Sequence, residues 1–437
     1  MQHTQDYLDR LGITELNPMQ QDVLTQRDAH RDLILLSPTG SGKTLAFTLL
    51  MLTNHPLGSS KTISHLVVAP TRELAAQIDA VIKRLQTGFR VICLHGGKST
   101  RMEREDLKRN AQIIVATPGR LCYHIEHSAD LLAELQVLVI DEFDKCLELG
   151  FEEQLGQILT ASNAAAQHVL TSATNLDPMP SFLPLKDTKT LNYLDDTAVQ
   201  PSHQTYSIEA PSSLKLEMLF KLLCRIGNER VLVFCNHRDT TDHVASLLER
   251  KGIRAQIYHG GMEQWERQLA LTKLRNGTVE ILITTDLAAR GLDVEGVHHV
   301  VHYQWPVKVE DYLHRNGRSG RHGEVGSIYG FIEKPGTAPE FFKEAATPLS
   351  LDAYYPVPQL PAFCTLRINA GKKQKINKID IVGFFLKQDG AQKDDLGMIA
   401  VGTDEAFVAV RRGLANQWAN PVNDARIKKA KVRIRLV

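Results

Sequence analysis

The chain has 437 residues, six of them cysteines, and a formal net charge of +1. This length provides for two or three domains. No run reaches the roughly 18 apolar residues of a membrane span, and the N-terminal residues lack the basic and apolar segments of a signal peptide. The cysteines form no C-x-x-C pair, which argues against a zinc site and is typical of a reducing compartment. We therefore expect a soluble, cytoplasmic protein.

Charge is unevenly distributed along the chain. Residues 363–437 contain 15 Lys and Arg against 7 Asp and Glu, a net of +8, whereas residues 1–362 carry a net of −7. A small basic segment on an acidic body indicates a polyanionic partner for that segment.

Short apolar runs alternate with helical patterns over most of the chain. The runs that end in polar or glycine-rich turns are 32–37, 65–70, 112–119, 137–142 and 168–174, then 230–236, 255–261, 279–286, 298–303 and 326–332. Continuous apolar strands separated by helices predict parallel sheets that are covered on both faces. We predict two similar α/β domains with doubly wound parallel sheets, whose ligands gather at the carboxyl ends of the strands.

Two composition changes mark the predicted domain boundaries. The two similar domains meet near residues 200–210. After Glu333 the chain is proline-rich, which is typical of a connector. The remaining residues predict the order strand, helix, strand, strand, helix, strand, which is that of a ferredoxin-like split βαβ and of RNA-recognition modules. We predict domains at 1–205, 206–335 and 363–437, with a linker at 336–362.

The segment Ser37–Thr44, S-P-T-G-S-G-K-T, follows an apolar strand and opens a helix. Glycines allow backbone N–H groups to cradle phosphates at the positive end of a helix. Lys43 is expected to reach the β and γ phosphates, and the Thr44 hydroxyl to bind Mg²⁺. The alternative is a glycine turn before an ordinary helix, which does not account for strand, G-K-T and helix together.

Two carboxylates follow the strand at 137–140. Asp141 is expected to hold Mg²⁺ through its water shell, and Glu142 to orient and deprotonate the attacking water. Phosphoryl transfer also needs cations near the negative charge that develops on the transferred group. The segment H-R-N-G-R-S-G-R provides them, and Arg318 and Arg321 would act as arginine fingers from the second domain. The alternatives are common surface charge for the acids and a basic surface loop for the arginines.

These motifs, in this order, resemble those of the DEAD-box ATP-dependent RNA helicases over about residues 10–335. The matching segments are Gln20, Ser37–Thr44, Pro70–Leu74, Gly96–Gly97, Thr117–Arg120, Asp141–Asp144, Ser172–Thr174, Gln264–Arg267, Thr284–Asp293 and His314–Arg321. The resemblance implies two tandem RecA-like domains, RNA-stimulated ATP hydrolysis, and ATP and Mg²⁺ as cofactors.

The resemblance also implies a role for each matching residue. ATP would contact Gln20, Thr39, Gly40, Ser41, Gly42, Lys43, Thr44 and Asp293. RNA would contact Pro70, Thr71, Arg72, Gly97, Thr117 and Arg120 on the first domain, and Arg267 and Thr284 on the second. Ser172 and Thr174 would couple the nucleotide state to RNA. Taken alone, the turns at Thr117 and Ser172 also fit plain structural roles.

Some residues depart from the family pattern. Phe143 replaces the usual alanine and places a bulky ring beside the metal-binding carboxylates, Asn316 and Ser319 alter the arginine motif, and Leu16 stands where proline is usual. The phosphate-loop lysine, both acids and both finger arginines are retained. We therefore expect nucleotide selectivity and coupling to change more than hydrolysis.

Residues 363–437 resemble the C-terminal RNA-binding domain of the bacterial DbpA group. G-K-K-Q-K-I, the helix D-I-V-G-F-F-L and the closing K-K-A-K-V-R-I-R-L carry the resemblance. It implies docking on a structured hairpin of large-subunit ribosomal RNA, within a pre-ribosomal particle during assembly.

Cations dominate the predicted RNA surface of this module, because Phe407 is the one aromatic residue of its predicted central strand. The cations are Lys372, Lys373, Lys375, Lys428, Lys429, Lys431, Arg433 and Arg435. From Lys429 to Leu436 they alternate with apolar residues, which predicts one strand with an apolar and a cationic face. The alternative for this tail is an edge strand whose charge prevents aggregation.

We hypothesise that the module anchors a monomeric protein on ribosomal RNA, that ATP and an adjacent duplex close the two helicase domains, and that hydrolysis releases the RNA. Stacking costs about 1.4 kcal/mol per base-pair step in DNA, so unwinding would be local. Two alternatives remain at this point: an ATP-gated RNA clamp that does not separate strands, and a DNA translocase of the wider superfamily.

Overall fold

The computed structural model describes residues 2–26, 32–54, 62–97, 99–176, 178–195, 202–286, 294, 296–320, 324–334, 337–343, 346–388, 390–419 and 425–437. The chain forms two compact units. The first is built on Met1–Ser202 and includes Lys308–Glu324, and the second is built on His203–Ala289, Val294–Val307 and Val325–Val437. Arg318, which we assigned to the second domain, therefore belongs to the first unit.

A seven-stranded parallel sheet forms the core of the first unit. Its strands are β1 Leu33–Leu36, β2 His65–Val68, β3 Val91–Leu94, β4 Ile113–Ala116, β5 Val137–Ile140, β6 Gln167–Ser172 and β7 Lys189–Asn192. They run in the order β3-β4-β2-β5-β6-β1-β7. All residues of β1 to β6 are buried, which explains their continuous apolar runs. The described helices are Gln2–Leu11, Pro18–Thr25, Lys43–Asn54, Arg72–Arg84, Thr100–Leu107, Pro118–His127, Phe143–Glu148, Glu152–Ala161 and Val309–Asn316.

A second seven-stranded parallel sheet organises the second unit. Its strands are β8 His203–Glu209, β9 Arg230–Cys235, β10 Ala255–Tyr258, β11 Ile281–Thr285, β12 Val297–His302, β13 Gly326–Ile332 and β14 Ala346–Pro348. The helices described around it are Lys215–Ile226, Arg238–Arg250, Gln264–Arg275 and Glu340–Lys343. Within the described ranges, none of the helices of either unit has the length and apolar character needed to cross a membrane.

The two sheets share one topology. The second runs in the order β10-β11-β9-β12-β13-β8-β14. This is the order of the first sheet with seven added to each strand number. The predicted pair of doubly wound α/β domains is therefore confirmed. The phosphate loop follows β1, whereas its counterpart β8 leads into A-P-S-S, which lacks the glycine–lysine motif. The nucleotide loop thus belongs to the first repeat.

Four strands were not predicted, namely β3, β7, β8 and β14. Strands β7 and β14 are short and largely exposed edge strands, so they lack a continuous apolar run. Strand β8 lies in the segment that we interpreted as the meeting point of the two repeats. Strand β14 and the buried Leu351 show that part of the predicted linker is packed in the second unit.

The C-terminal module is an antiparallel α/β structure. Its main strands are β15 Phe363–Ile368, β16 Leu396–Val401, β17 Ala406–Arg411 and β20 Ile434–Leu436, in the order β16-β17-β15-β20. With the helices Lys378–Phe385 and Ala415–Ala419, the chain order confirms the predicted split βαβ. The core lies between the sheet and these helices, where the rings of Phe385 and Trp418 are 5.2 Å apart.

The other face of the module's sheet contacts the second parallel-sheet domain. The Thr365 hydroxyl lies 2.7 Å from the Thr278 hydroxyl and 3.1 Å from the Asn276 amide. Phe407, which we considered as a surface for stacking bases, is only 4% exposed. This face therefore does not offer Phe407 to RNA.

The C-terminal tail differs from the single strand that its alternation predicted. It forms a hairpin of β18 Arg426–Ile427 and β19 Ala430–Lys431, followed by β20. Lys428 has a φ of 55°, in the left-handed region that permits this tight reversal. Val432 and Ile434 face the core as expected, whereas Leu436 is 47% exposed.

Candidate functional site

The phosphate loop joins β1 to the helix that begins at Lys43. Gly40 and Gly42 have φ values of 88° and 91°, which glycine adopts without strain. The buried ammonium of Lys43 donates to the carbonyl oxygens of Ser37 and Pro38, the latter at 2.9 Å. The predicted residues from Thr39 to Thr44 thus form the turn and first helical residues that a triphosphate would contact.

The segment around Gln20, which was predicted to contact ATP, packs directly on the phosphate loop. The Gln20 side chain donates to the carbonyl oxygen of Gly42 at 3.2 Å, and the Asn17 side chain donates to that of Ser41 at 2.8 Å. A Cβ on Gly42 would lie 2.3 Å from Gln20 Nε2. Asn17 also caps the helix Pro18–Thr25 through Gln20, and sequence reasoning missed it because its N-cap position was the only local signal.

The two predicted catalytic carboxylates follow β5 and lie in a buried environment. The Thr171 hydroxyl donates to Asp141 Oδ1 at 2.5 Å, and the Glu142 N–H donates to the same oxygen at 3.1 Å. Burial raises the pKa of Asp141, and the Thr171 hydrogen bond and the charge of Lys43 oppose this rise. Burial also raises the pKa of Glu142, opposed mainly by the charge of Arg318.

Two observations show that this pocket suits a bound nucleotide and its metal. Among the described residues, buried Glu142 Oε2 has no hydrogen-bond partner. Glu142 also has a φ of 49°, and strained backbone of this kind is concentrated at functional sites. Water molecules around a bound Mg²⁺ would donate to such a carboxylate, and Asp141 and Thr44 are the residues that would hold the metal.

Phe143 does not crowd this pocket, contrary to our expectation. Its side chain is completely buried in the hydrophobic core, with its ring 6.4 Å from that of Phe182. Phe143 is the first residue of the helix Phe143–Glu148, and its side chain packs into the core of the first unit. This departure from the family pattern is therefore a change of core packing.

Ser172 and Thr174, the predicted coupling residues, link the end of β6 to the acidic motif. The Ser172 hydroxyl donates to the Thr174 carbonyl oxygen at 2.7 Å, and the Thr174 hydroxyl donates to Asp144 Oδ2 at 3.1 Å. Burial raises the pKa of Asp144. A shift of the turn at 172–174 would therefore change the hydrogen bond to Asp144 in the acidic motif.

The helix Val309–Asn316 and the residues after it pack against the same acids within the first unit. His314 Nε2 lies 3.9 Å from Asp144 Oδ2, and Lys145 Nζ lies 3.7 Å from Asp311 Oδ1. Arg318 is buried, and its charge acts on Glu142 and Lys43. The structure thus brings Arg318 to the predicted pocket, whereas Arg321 and Asp293 lie outside the described residues.

The predicted RNA contacts of the first unit lie where β2, β3 and β4 end. Pro70 follows β2, and Thr71 caps the next helix by accepting from the Leu74 N–H at 3.2 Å. Arg72 packs against Gly96, where a Cβ would lie 2.7 Å from the guanidinium. Gly97 lies in the loop after β3, Thr117 is the N-cap residue of the helix Pro118–His127, and Arg120 lies in the first turn of that helix. The structure therefore places these six residues along one edge of the sheet.

A buried carboxylate that sequence reasoning missed connects these loops. Glu103, 2% exposed, lies 3.6 Å from the Arg120 guanidinium and 3.0 Å from His124 Nε2. It also accepts from the His95 N–H at 3.2 Å. In the sequence Glu103 is one of several charges in a polar helix, so no local signal distinguishes it.

Of the two predicted RNA contacts in the second unit, one is accessible. Arg267 lies in the first turn of its helix, where its guanidinium donates to the Gln264 side chain. Thr284 is completely buried in β11, and its hydroxyl donates to the Thr285 carbonyl oxygen at 3.2 Å. This structure therefore does not present Thr284 to RNA.

The predicted cations of the module are all exposed. Lys428 Nζ donates to the Lys375 carbonyl oxygen at 2.8 Å and pairs with Asp380 at 2.7 Å. This contact joins the turn at 372–375 to the hairpin at 426–431, so two clusters that are far apart in sequence share one surface. Lys373 pairs with Asp404 at 3.3 Å.

Comparisons with protein families agree with this geometry. A model described as "DEAD/DEAH box helicase" matches residues 17–178, and one described as "Helicase conserved C-terminal domain" matches residues 214–323. A third, "DbpA RNA binding domain", matches residues 365–436. The three matches cover β1 to β6 of the first sheet, β9 to β12 of the second sheet and most of the basic module.

One relative matches along nearly the whole chain, and another matches about three quarters of it. The ATP-dependent RNA helicase DbpA of Escherichia coli (strain K12) is 31% identical over 445 residues, which is 98% of this chain and 96% of the relative. The DEAD-box ATP-dependent RNA helicase CshA of Geobacillus kaustophilus is 33% identical over 74% of this chain and 70% of its own length.

Solved structures show the same arrangement of strands and helices. S. cerevisiae Dbp5 bound to RNA and ADP BeF3 has a TM-score of 0.69 and 25% identity, covering 79% of this chain and 93% of Dbp5. Mss116p bound to ssRNA and AMP-PNP has a TM-score of 0.67 and 27% identity, covering 76% and 72%.

Proposed function

Because the chain belongs to the DEAD-box ATP-dependent RNA helicases, a family of ATP-hydrolysing enzymes, we propose that it couples RNA-stimulated ATP hydrolysis to local, non-processive opening of RNA duplexes. The observation that carries this proposal is the cluster around the phosphate loop of buried Lys43, Asp141 and Arg318 with half-buried Glu142. It combines the cations and carboxylates that phosphoryl transfer requires.

We propose the following roles in that cluster. Lys43 binds the triphosphate, while Asp141 and Thr44 hold a hydrated Mg²⁺, which neutralises charge on the phosphates. Glu142 orients and deprotonates the attacking water, and its raised pKa makes it a better base than an exposed carboxylate. Arg318 stabilises the charge that develops on the transferred phosphoryl group.

We further propose that the basic module directs the protein, as a monomer, to a structured hairpin of large-subunit ribosomal RNA in a pre-ribosomal particle. The DbpA homology and the joined lysine clusters at 372–375 and 428–431 support this assignment. The contacts of Thr365 make point variants of the lysines better tests than removal of the module, because removal would take away the Thr365 partner of Thr278 and Asn276 in the second unit.

The test of the catalytic proposal is Glu142→Gln, which keeps the shape of the side chain and removes the base. We expect the RNA-stimulated kcat to fall by roughly 10²- to 10⁴-fold. ATP and RNA dissociation constants, measured by fluorescence titration, should stay within about threefold of those of the unaltered protein, a margin of under 1 kcal/mol.

Glu134→Gln is the matched control, because Glu134 is an exposed glutamate of the same unit. It should leave all three quantities unchanged. Undiminished turnover in Glu142→Gln would refute the assigned role. A strand-displacement assay with ATP separates unwinding from the clamp alternative, since a clamp hydrolyses ATP without releasing a strand.

A further inference from the structure

An exposed tryptophan lies between the second helicase sheet and the basic module. Trp265 is in the first turn of the helix Gln264–Arg275, two residues before Arg267, and is 52% exposed. The guanidinium of Arg367, on β15 of the module, lies 5.9 Å from the centroid of its ring. This distance is that of a cation–π contact, so one side of the indole is supported by a planar cation.

Arg367 is fixed in place by further contacts. Its Nε donates to Glu405 Oε2 at 2.7 Å, which holds the guanidinium in one orientation. Arg435 lies directly opposite Arg367 in the pairing of β15 with β20, and it is exposed. Directly opposed like charges in a sheet are unfavourable, and an anion bound between them would remove this repulsion.

The nearby carboxylates offset part of this positive charge. Glu405 is engaged by Arg367, and Glu266 accepts from the Glu263 N–H at 2.9 Å, at the start of the helix. Glu263 remains exposed. Trp265 is therefore an aromatic ring in contact with Arg367, whose partner across the strands is Arg435, a combination that suits a nucleobase and its phosphate better than an apolar protein segment.

We propose that Trp265, Arg367 and Arg435 form a stacking site for one unpaired base of single-stranded RNA. The base stacks on the exposed indole surface, and the arginines bind the adjacent phosphate. The site joins the track at Arg267 to the cationic surface of the module, and it rests on the proposed function as an RNA helicase. It also supplies the aromatic platform that the buried Phe407 does not.

The test uses the intrinsic fluorescence of the full-length protein, titrated with a single-stranded oligoadenylate of twelve nucleotides. The chain has three tryptophans, and of the others Trp418 is 2% exposed and Trp305 packs on Phe342 with 4.5 Å between ring centroids. We expect the oligonucleotide to quench the unaltered protein. Trp265→Phe should lose this quenching and keep most of the affinity, because phenylalanine still stacks.

Trp265→Leu should weaken oligoadenylate binding by about fivefold to 150-fold, which corresponds to one stacked base. Tyr354→Leu is the control, since Tyr354 is a 90% exposed aromatic residue outside the site. Thermal unfolding of each variant is measured alongside. Equal affinity of Trp265→Leu and unaltered protein, or a loss that follows a lowered Tm and is shared by Trp265→Phe, would overturn the stacking site.

This outcome is distinguishable from failure of the proposed function. If the unaltered protein shows no RNA-stimulated ATP hydrolysis, the helicase assignment fails. If that stimulation is present while Trp265→Leu binds oligoadenylate normally, only the stacking site fails.

Discussion

Arg120 illustrates how a residue predicted from a motif depends on one that was not. The motif T-P-G-R indicates an RNA contact, but the orientation of the guanidinium depends on the buried Glu103, which lies 3.6 Å away. The same carboxylate accepts from the His95 backbone and contacts His124. We therefore propose that Glu103 positions the loop after β3 and the start of the helix Pro118–His127, the two segments that are predicted to contact RNA.

Glu103→Gln should therefore weaken RNA binding without affecting ATP. The amide keeps the acceptor for the His95 N–H but removes the charge that attracts Arg120, and the 3.6 Å ion pair between them depends on that charge. We expect the RNA concentration for half-maximal ATPase to rise roughly three- to tenfold, a loss of about 1 kcal/mol, while the KM for ATP stays constant.

A double-mutant cycle provides the control for this prediction. Glu103→Gln should have no further effect in an Arg120→Ala background, because the group it positions is gone. Glu105→Gln, an exposed neighbour on the same helix, should behave like the unaltered protein. Tighter RNA binding in Glu103→Gln would contradict the positioning role, since it would mean that the carboxylate competes with the phosphate.

Thr171 plays a comparable part at the catalytic acids. Its hydroxyl donates to the ionised form of Asp141, which lowers a pKa that burial has raised. Thr171→Val removes this donor, so the pKa of Asp141 should rise further. Because Asp141 must be ionised to hold Mg²⁺, the acid limb of the kcat/KM profile should shift to higher pH, and kcat near neutrality should fall roughly tenfold or more.

Thr160→Val is the matched control for this change. Thr160 is an exposed threonine whose hydroxyl donates to the Gly156 carbonyl oxygen within its own helix. Its pH profile should match that of the unaltered protein. An acid limb in Thr171→Val that is unmoved, or that shifts to lower pH, would show that the hydroxyl does not stabilise the ionised carboxylate.

At the scale of elements, the features that could be predicted are those that residues close together in the sequence determine. The phosphate loop was predictable because a strand, glycines with positive φ and a helix start are encoded within a dozen residues. The hairpin in the tail was not, because its reversal depends on Lys428, which is held by Lys375 and Asp380 from a distant segment. Alternation predicted the burial of Val432 and Ile434, but it predicted neither the exposure of Leu436 nor the position of the turn.

The joined lysine clusters yield a prediction about salt. Each phosphate contact contributes about −0.9 to the slope of log affinity against log salt for duplexes. Lys372→Ala with Lys429→Ala should therefore flatten the slope for the ribosomal RNA hairpin by about 1.8, measured between 50 and 200 mM salt. Lys387→Ala, another exposed lysine of the module, should leave it unchanged. An unchanged slope in the double variant would place the RNA elsewhere.

For the whole molecule, the repeated topology explains both the success and the limits of sequence reasoning. Two sheets of identical strand order produce two series of apolar runs, so the paired architecture was predictable. The edge strands β7 and β14 were not, because they are exposed and carry little apolar signal. The burial of Thr284 and Phe407 also depends on packing between elements that the sequence does not specify locally.

The central claim is that RNA gates hydrolysis at the pocket formed by the phosphate loop, the acidic motif and Arg318. Steady-state ATP hydrolysis with and without a large-subunit ribosomal RNA hairpin tests this claim most directly. We predict slow turnover without RNA and a saturable increase when the hairpin is added, which Arg318→Ala abolishes. Equal rates with and without the hairpin, or full stimulation in Arg318→Ala, would contradict it.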